Sequence, residues 1–212
     1  MKTEDLIRAL VADGARPNTP LDRHLMTGLL GGTALAMALF LVILRARPDL
    51  NDAIHSLAFV YKLIVITSLA VTAAALLPEI ARPQPTSARF GSILLVAPAL
   101  LVTGVSIELL LQPPSLWLAR LVGHNARHCL SLIPILSVAP AVCLLIALRK
   151  GAPQNPTAAG AVVGLVSGGF GALLYGLTCP DDSPLFVSTW YTLAIAVVTG
   201  ATALVGRRLL RW

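Results

Sequence analysis

Cys129-Leu-Ser-Leu-Ile-Pro-Ile-Leu-Ser-Val-Ala-Pro-Ala-Val-Cys-Leu-Leu-Ile-Ala-Leu148 runs for 20 residues without a charged side chain. A helix needs about 20 apolar residues to cross the hydrocarbon core of a bilayer, so this stretch reads as a span. Five further blocks have the same character: Leu25–Leu44, Ser56–Leu77, Gly91–Leu111, Ala158–Leu177 and Leu185–Val205. Between them lie breaks rich in turn residues: Arg-Pro-Asp-Leu (47–50), Arg-Pro-Gln-Pro-Thr (82–86), Gln-Pro-Pro-Ser (112–115), Gly-Ala-Pro-Gln-Asn-Pro (151–156) and Cys-Pro-Asp-Asp-Ser-Pro (179–184). The chain has 212 residues, of which 56% are hydrophobic and 12% charged, against roughly a quarter charged in soluble domains. The expected fold is an all-α integral membrane protein. It comprises a six-transmembrane-helix bundle (25–205), a short N-terminal segment carrying an amphipathic helix (1–24) and a C-terminal tail (206–212).

No cleavable signal peptide is expected. The first apolar block begins only near Leu25, after a charged tail too long for a signal n-region, and should stay as an anchor. The net charge of +6 reflects loop bias more readily than nucleic-acid affinity, so no direct DNA binding is expected. Lys2, Arg8, Arg16, Arg23, Arg82, Arg89, Arg149, Lys150, Arg207, Arg208 and Arg211 fall on one side of the bundle. Arg45, Arg47, Arg120 and Arg127 fall on the other, eleven against four, which predicts that both termini are cytoplasmic. That orientation puts Cys129 at the outer end of the fourth span and Cys179 in the outer fifth loop. Cys143, in mid-helix, reads as an ordinary buried cysteine.

Two ionisable residues lie inside spans, Lys62 in the second and Glu108 in the third. Intramembrane charge costs about 2.5–3.5 kcal/mol or more, so such residues pair, snorkel or act. Similar depth near the outer ends makes a Lys62–Glu108 ion pair feasible, and separate snorkelling is the competing reading. Use of the two by a small transporter or ion-permeation protein is a further alternative, but no polar relay crosses the full thickness. Gly160, Gly164 and Gly168 in the fifth span, followed by Gly169 and Gly171, and Gly28, Gly31 and Gly32 in the first, offer small faces for close helix packing. They serve packing within the chain or a homodimer seam.

Three readings stand for the outer cysteines. An oxidising exterior would allow a disulfide, as a switch if strained and as a staple if relaxed. His124 and His128, with Cys129 and Cys179, would instead suit a thiophilic metal ion such as zinc, with Asp181 and Asp182 able to complete the shell. That spacing matches no closed zinc motif. In the third reading the residues act separately at the headgroup boundary. Catalysis is not expected: no Ser-His-Asp order, HExxH or phosphate-cradling glycine loop is present, and Cys-Pro-Asp-Asp is no CxxC motif. Near the N-terminus, Thr3 can cap a helix whose Leu6, Ile7, Leu10 and Val11 form one apolar stripe, suited to a groove on a partner or to the lipid surface.

Several stretches resemble the NrsF-type membrane anti-sigma factors of Gram-negative bacteria. They are Met1-Lys-Thr-Glu-Asp-Leu-Ile-Arg-Ala-Leu-Val-Ala-Asp13, Arg47-Pro-Asp-Leu50, Cys129 ahead of Ile133-Pro134, and Arg207-Arg-Leu-Leu-Arg-Trp212. The longest is Gly168-Gly-Phe-Gly-Ala-Leu-Leu-Tyr-Gly-Leu-Thr-Cys-Pro-Asp-Asp-Ser-Pro-Leu-Phe-Val-Ser-Thr-Trp-Tyr-Thr192. The resemblance implies an inner-membrane protein whose cytoplasmic N-terminal segment, through Leu6, Ile7, Leu10 and Val11, holds an extracytoplasmic-function sigma factor. It also implies that Cys129 and Cys179 are the sensor thiols for metal or oxidative stress.

Overall fold

The computed structural model describes residues 21–44, 49–82 and 89–210, and the elements among them are all helical. The N-terminal stripe Leu6, Ile7, Leu10 and Val11 lies outside the described residues. In chain order the helices are α1 (Leu21–Ile43), α2 (Leu50–Ala53), α3 (Leu57–Ile80), α4 (Arg89–Ile93), α5 (Val96–Leu111), α6 (Pro114–Val122), α7 (Ala126–Leu148), α8 (Pro156–Gly176), α9 (Pro184–Phe186) and α10 (Thr192–Leu209). A π-helical turn, Val187–Tyr191, joins α9 to α10, so that Pro184–Leu209 forms one rod of 26 residues. Six helical stretches are long and apolar enough to cross a membrane, and each overlaps one of the six expected blocks. The third differs from expectation: a turn at Leu94 and Leu95 divides it into α4 and α5.

Local chemistry sets the ends. Asn155 caps α8, its Oδ1 accepting from the Thr157 and Ala158 N–H groups at 3.1 and 3.0 Å, and Pro156 follows at the first helical position. Pro114 and Pro184 begin α6 and α9 in the same way. Gly123 ends α6 at φ +57°, where a side chain would also strike the Phe186 ring at 2.5 Å.

The hub is α8. It packs against α3, α7 and α10, and most of its residues are buried. Its glycines allow this. A methyl on Gly164 would lie 2.5 Å from the Thr199 Cα of α10, and one on Gly171 would lie 2.8 Å from the Ile133 carbonyl of α7. Close backbone approach is how apolar helices associate where lipid supplies no hydrophobic drive. The α8 glycines therefore face helices of the same chain, and none of them is left to form a homodimer seam. Two buried clusters result. One, around Leu144, Leu148, Val163 and Val166, fills the half nearer the α7–α8 connection. The other, around Ile133, Leu136, Tyr175 and Phe186, fills the opposite half and contains both Cys129 and Cys179.

Candidate functional site: a thiol pair beneath a tethered loop

At the end of α8 the N–H groups of Thr178 and Cys179 both donate to the Tyr175 carbonyl, at 3.0 Å each, and the chain then leaves helix for residues 179–183. Cys179 turns inward and Cys129 points from the first turn of α7 into the same cluster, at 1% and 0% exposure. Both thiols are free. The Tyr175 and Tyr191 rings stack obliquely at 5.9 Å beside them, and the Phe186 ring meets Tyr191 edge-on at 6.2 Å. The Tyr191 hydroxyl is fully buried beside the Cys179 thiol. Burial pushes the Cys179 thiol up from its ordinary range, opposed in part by the Lys62 ammonium, a hydrogen bond from the Asp181 backbone and the Tyr175 hydroxyl.

Polar links pin the loop from three sides. From α3, the Lys62 ammonium is ion-paired with Asp182 and donates to the Cys179 carbonyl at 2.9 Å, with the Phe59 ring 5.1 Å away. From α5, Glu108 accepts from the Ser183 hydroxyl at 2.7 and 2.9 Å and from the Leu185 N–H at 2.8 Å. It is also ion-paired with Arg120 of α6 at 2.6 Å. Glu108 thus caps the α9 rod from another helix, a carboxylate where the first-turn N–H groups need an acceptor. Asp181 braces the approach to α7: its Oδ2 accepts from the His124 and Asn125 N–H groups at 3.1 and 2.9 Å and from the Asn125 side-chain amide at 3.1 Å.

One expectation is corrected by this geometry. Lys62 and Glu108 do not pair with each other; the loop supplies Lys62 with a nearer carboxylate in Asp182, and α6 supplies Glu108 with Arg120. Both charges are thereby tied to the loop and its neighbours. The candidate metal ligands are not gathered together in this arrangement. His124 lies before α7 with its side chain 95% exposed, and His128 is exposed, while Cys129 and Cys179 point inward. Among the described residues no group of three His, Cys, Asp or Glu side chains is placed to hold a metal ion. Arg120, Asn125, Tyr175, Ser183 and Tyr191 were not singled out from sequence. Arg120, a lone cation in an apolar stretch, carried the one usable signal.

The family described as "Negative regulator of sigma F" matches residues 10–212. The chain belongs to the NrsF family. Anti-sigma-F factor NrsF of Caulobacter vibrioides (strain NA1000 / CB15N) is 37% identical over the whole of both chains. A probable anti-sigma-F factor NrsF of Azospira oryzae (strain ATCC BAA-33 / DSM 13638 / PS) is 29% identical, again over the full length of both. No solved structure matches. Membership makes this NrsF-family chain an anti-sigma factor by class, a regulator rather than a known type of enzyme, and implies a sigma factor as partner.

Proposed function

We propose that the chain is an inner-membrane anti-sigma factor, both termini cytoplasmic, that sequesters an extracytoplasmic-function sigma factor through its N-terminal segment, residues 1–24. Metal or oxidative stress acting on Cys129 and Cys179 at the outer face releases it. The observation that carries this reading is the full-length similarity to anti-sigma factors, joined to a free, buried thiol pair at the end of the bundle opposite the α7–α8 connection. The charge bias of the loops supports the orientation. Leu6, Ile7, Leu10 and Val11 are the docking stripe, covering part of the surface with which the sigma factor engages polymerase. Disulfide formation and capture of a thiophilic ion such as zinc are the two chemistries open to the thiols. Either demands that the buried pair become accessible. A tenfold loss of grip corresponds to about 1.4 kcal/mol of coupling between the two sites.

The test is a reporter driven by the cognate sigma factor in cells carrying Cys129→Ser/Cys179→Ser. Stress induction should disappear while basal repression holds. Induction equal to the parent's would remove the sensor role from the thiols.

A further inference from the structure

The two thiols are free and not joined to each other by a disulfide. What ties the Cys179 loop to a long helix is Lys62, 1% exposed, whose ammonium joins the Cys179 carbonyl and the Asp182 carboxylate at once. A lysine in that position grips the loop from both sides of Pro180-Asp181, so the loop cannot move without breaking or dragging it. The helix that carries Lys62 is α3, and α3 ends at the opposite face of the bundle. There Arg82, two residues beyond α3, is ion-paired with Asp22 in the first turn of α1 at 3.2 Å. Only Leu21 separates Asp22 from residues 1–20. From Lys62 to Arg82 is 20 residues of sequence, about 30 Å of helix rise. The two ends are unequal: the Arg82–Asp22 pair is half exposed and weak, while the Lys62 end is buried and expensive to break. Along its length α3 packs on α8 through a backbone approach at Gly169 and Ala70, 3.0 Å from a methyl placed on the glycine. Packed helices move on one another by small shear displacements.

We propose that Lys62 is the coupling residue of the switch: its grip on the Cys179 loop holds α3 in the position that keeps the sigma factor bound, and release of that grip is the event that frees it. This rests on the anti-sigma reading above and deepens it, making the Lys62–Asp182 latch the step downstream of the thiols. Modification of Cys179 acts by displacing the Cys179 carbonyl and Asp182 from the ammonium. Lys62 is a positioning residue and takes no part in thiol chemistry.

Epistasis separates the two ideas. In full-length protein, Lys62→Met and the milder Asp182→Asn should each raise unstressed reporter output about tenfold, normalised to the amount of protein in the membrane. An impermeant maleimide should label Cys179 faster in the same variants, measured in a Cys129→Ser/Cys143→Ser background. The exchange Lys62→Asp/Asp182→Lys should bring both readouts back toward the parent, which mere loss of packing would not do. Lys62→Met should stay induced when combined with Cys129→Ser/Cys179→Ser, because the latch lies after the thiols. Parent-level output from both Lys62→Met and Asp182→Asn overturns the latch, as does a charge exchange no better than the single variants. A normal stress response in Cys129→Ser/Cys179→Ser overturns the thiol reading alone and leaves these latch results standing.

Discussion

Glu108 is a carboxylate that closes the first turn of a helix it does not belong to, and that role decides what its loss would do. Replacing Glu108 by Ala orphans the buried Leu185 N–H and the Ser183 hydroxyl and leaves Arg120 unpaired. The cost should be about 1–3 kcal/mol, read as a lower unfolding temperature of the purified protein in detergent. Glu108→Gln, which keeps an acceptor but not the charge, should lose less. An unshifted Glu108→Ala would mean that the cap carries no weight. At this scale the sequence was half legible. The depth of Lys62 and Glu108 in their spans was readable from helix ends, and so was the need for a counter-charge. Which carboxylate reaches Lys62 depends on the path of residues 179–183, and no local pattern encodes it. His124 and His128 misled for a related reason: i and i+4 share a face only within a helix, and α7 begins after His124, at Ala126.

Helices were the easiest objects to read, because lipid demands long uninterrupted apolar runs and turns demand Pro, Gly and Asn. Small elements were not. The nine-residue α6 is too short and too mixed to announce itself, yet it brings Arg120 to Glu108, and its Leu121 carbonyl accepts from the Trp190 indole at 2.9 Å. The glycine spacing of α8 announced close packing but not its partner. With the partners known, the expected effects differ by position. Gly164→Leu pushes a side chain against the α10 backbone and should cost about 1–3 kcal/mol or more, whereas Gly31→Ala, with nothing within 4 Å, should stay within about 0.5 kcal/mol of the parent. Detergent-solubilised melting curves of the two variants make the comparison. Equal curves would show that α8 and α10 can part without loss.

Across the molecule, the six apolar helices and the two buried clusters give one arrangement: the thiols beneath one face, the start of α1 at the other. Reporter fusions test it directly. An enzyme active only in the periplasm should work when fused within 179–183 and fail after residue 206; the reverse pattern would invert the molecule and remove the thiols from the outer face. Division of labour by height also gives the π turn at Val187–Tyr191 its meaning. One residue is surplus there relative to an α ladder, so the rod Pro184–Leu209 is read in two phases. The stretch before the turn is phased to Glu108, through Leu185, and the stretch after it to the glycines of α8, through Thr199 and Thr202. An unbroken α-helix advances about 100° per residue, so trimming the surplus would swing one stretch against the other by that angle. The rod would then have to abandon either its cap or its seat on α8, and the π turn lets it keep both.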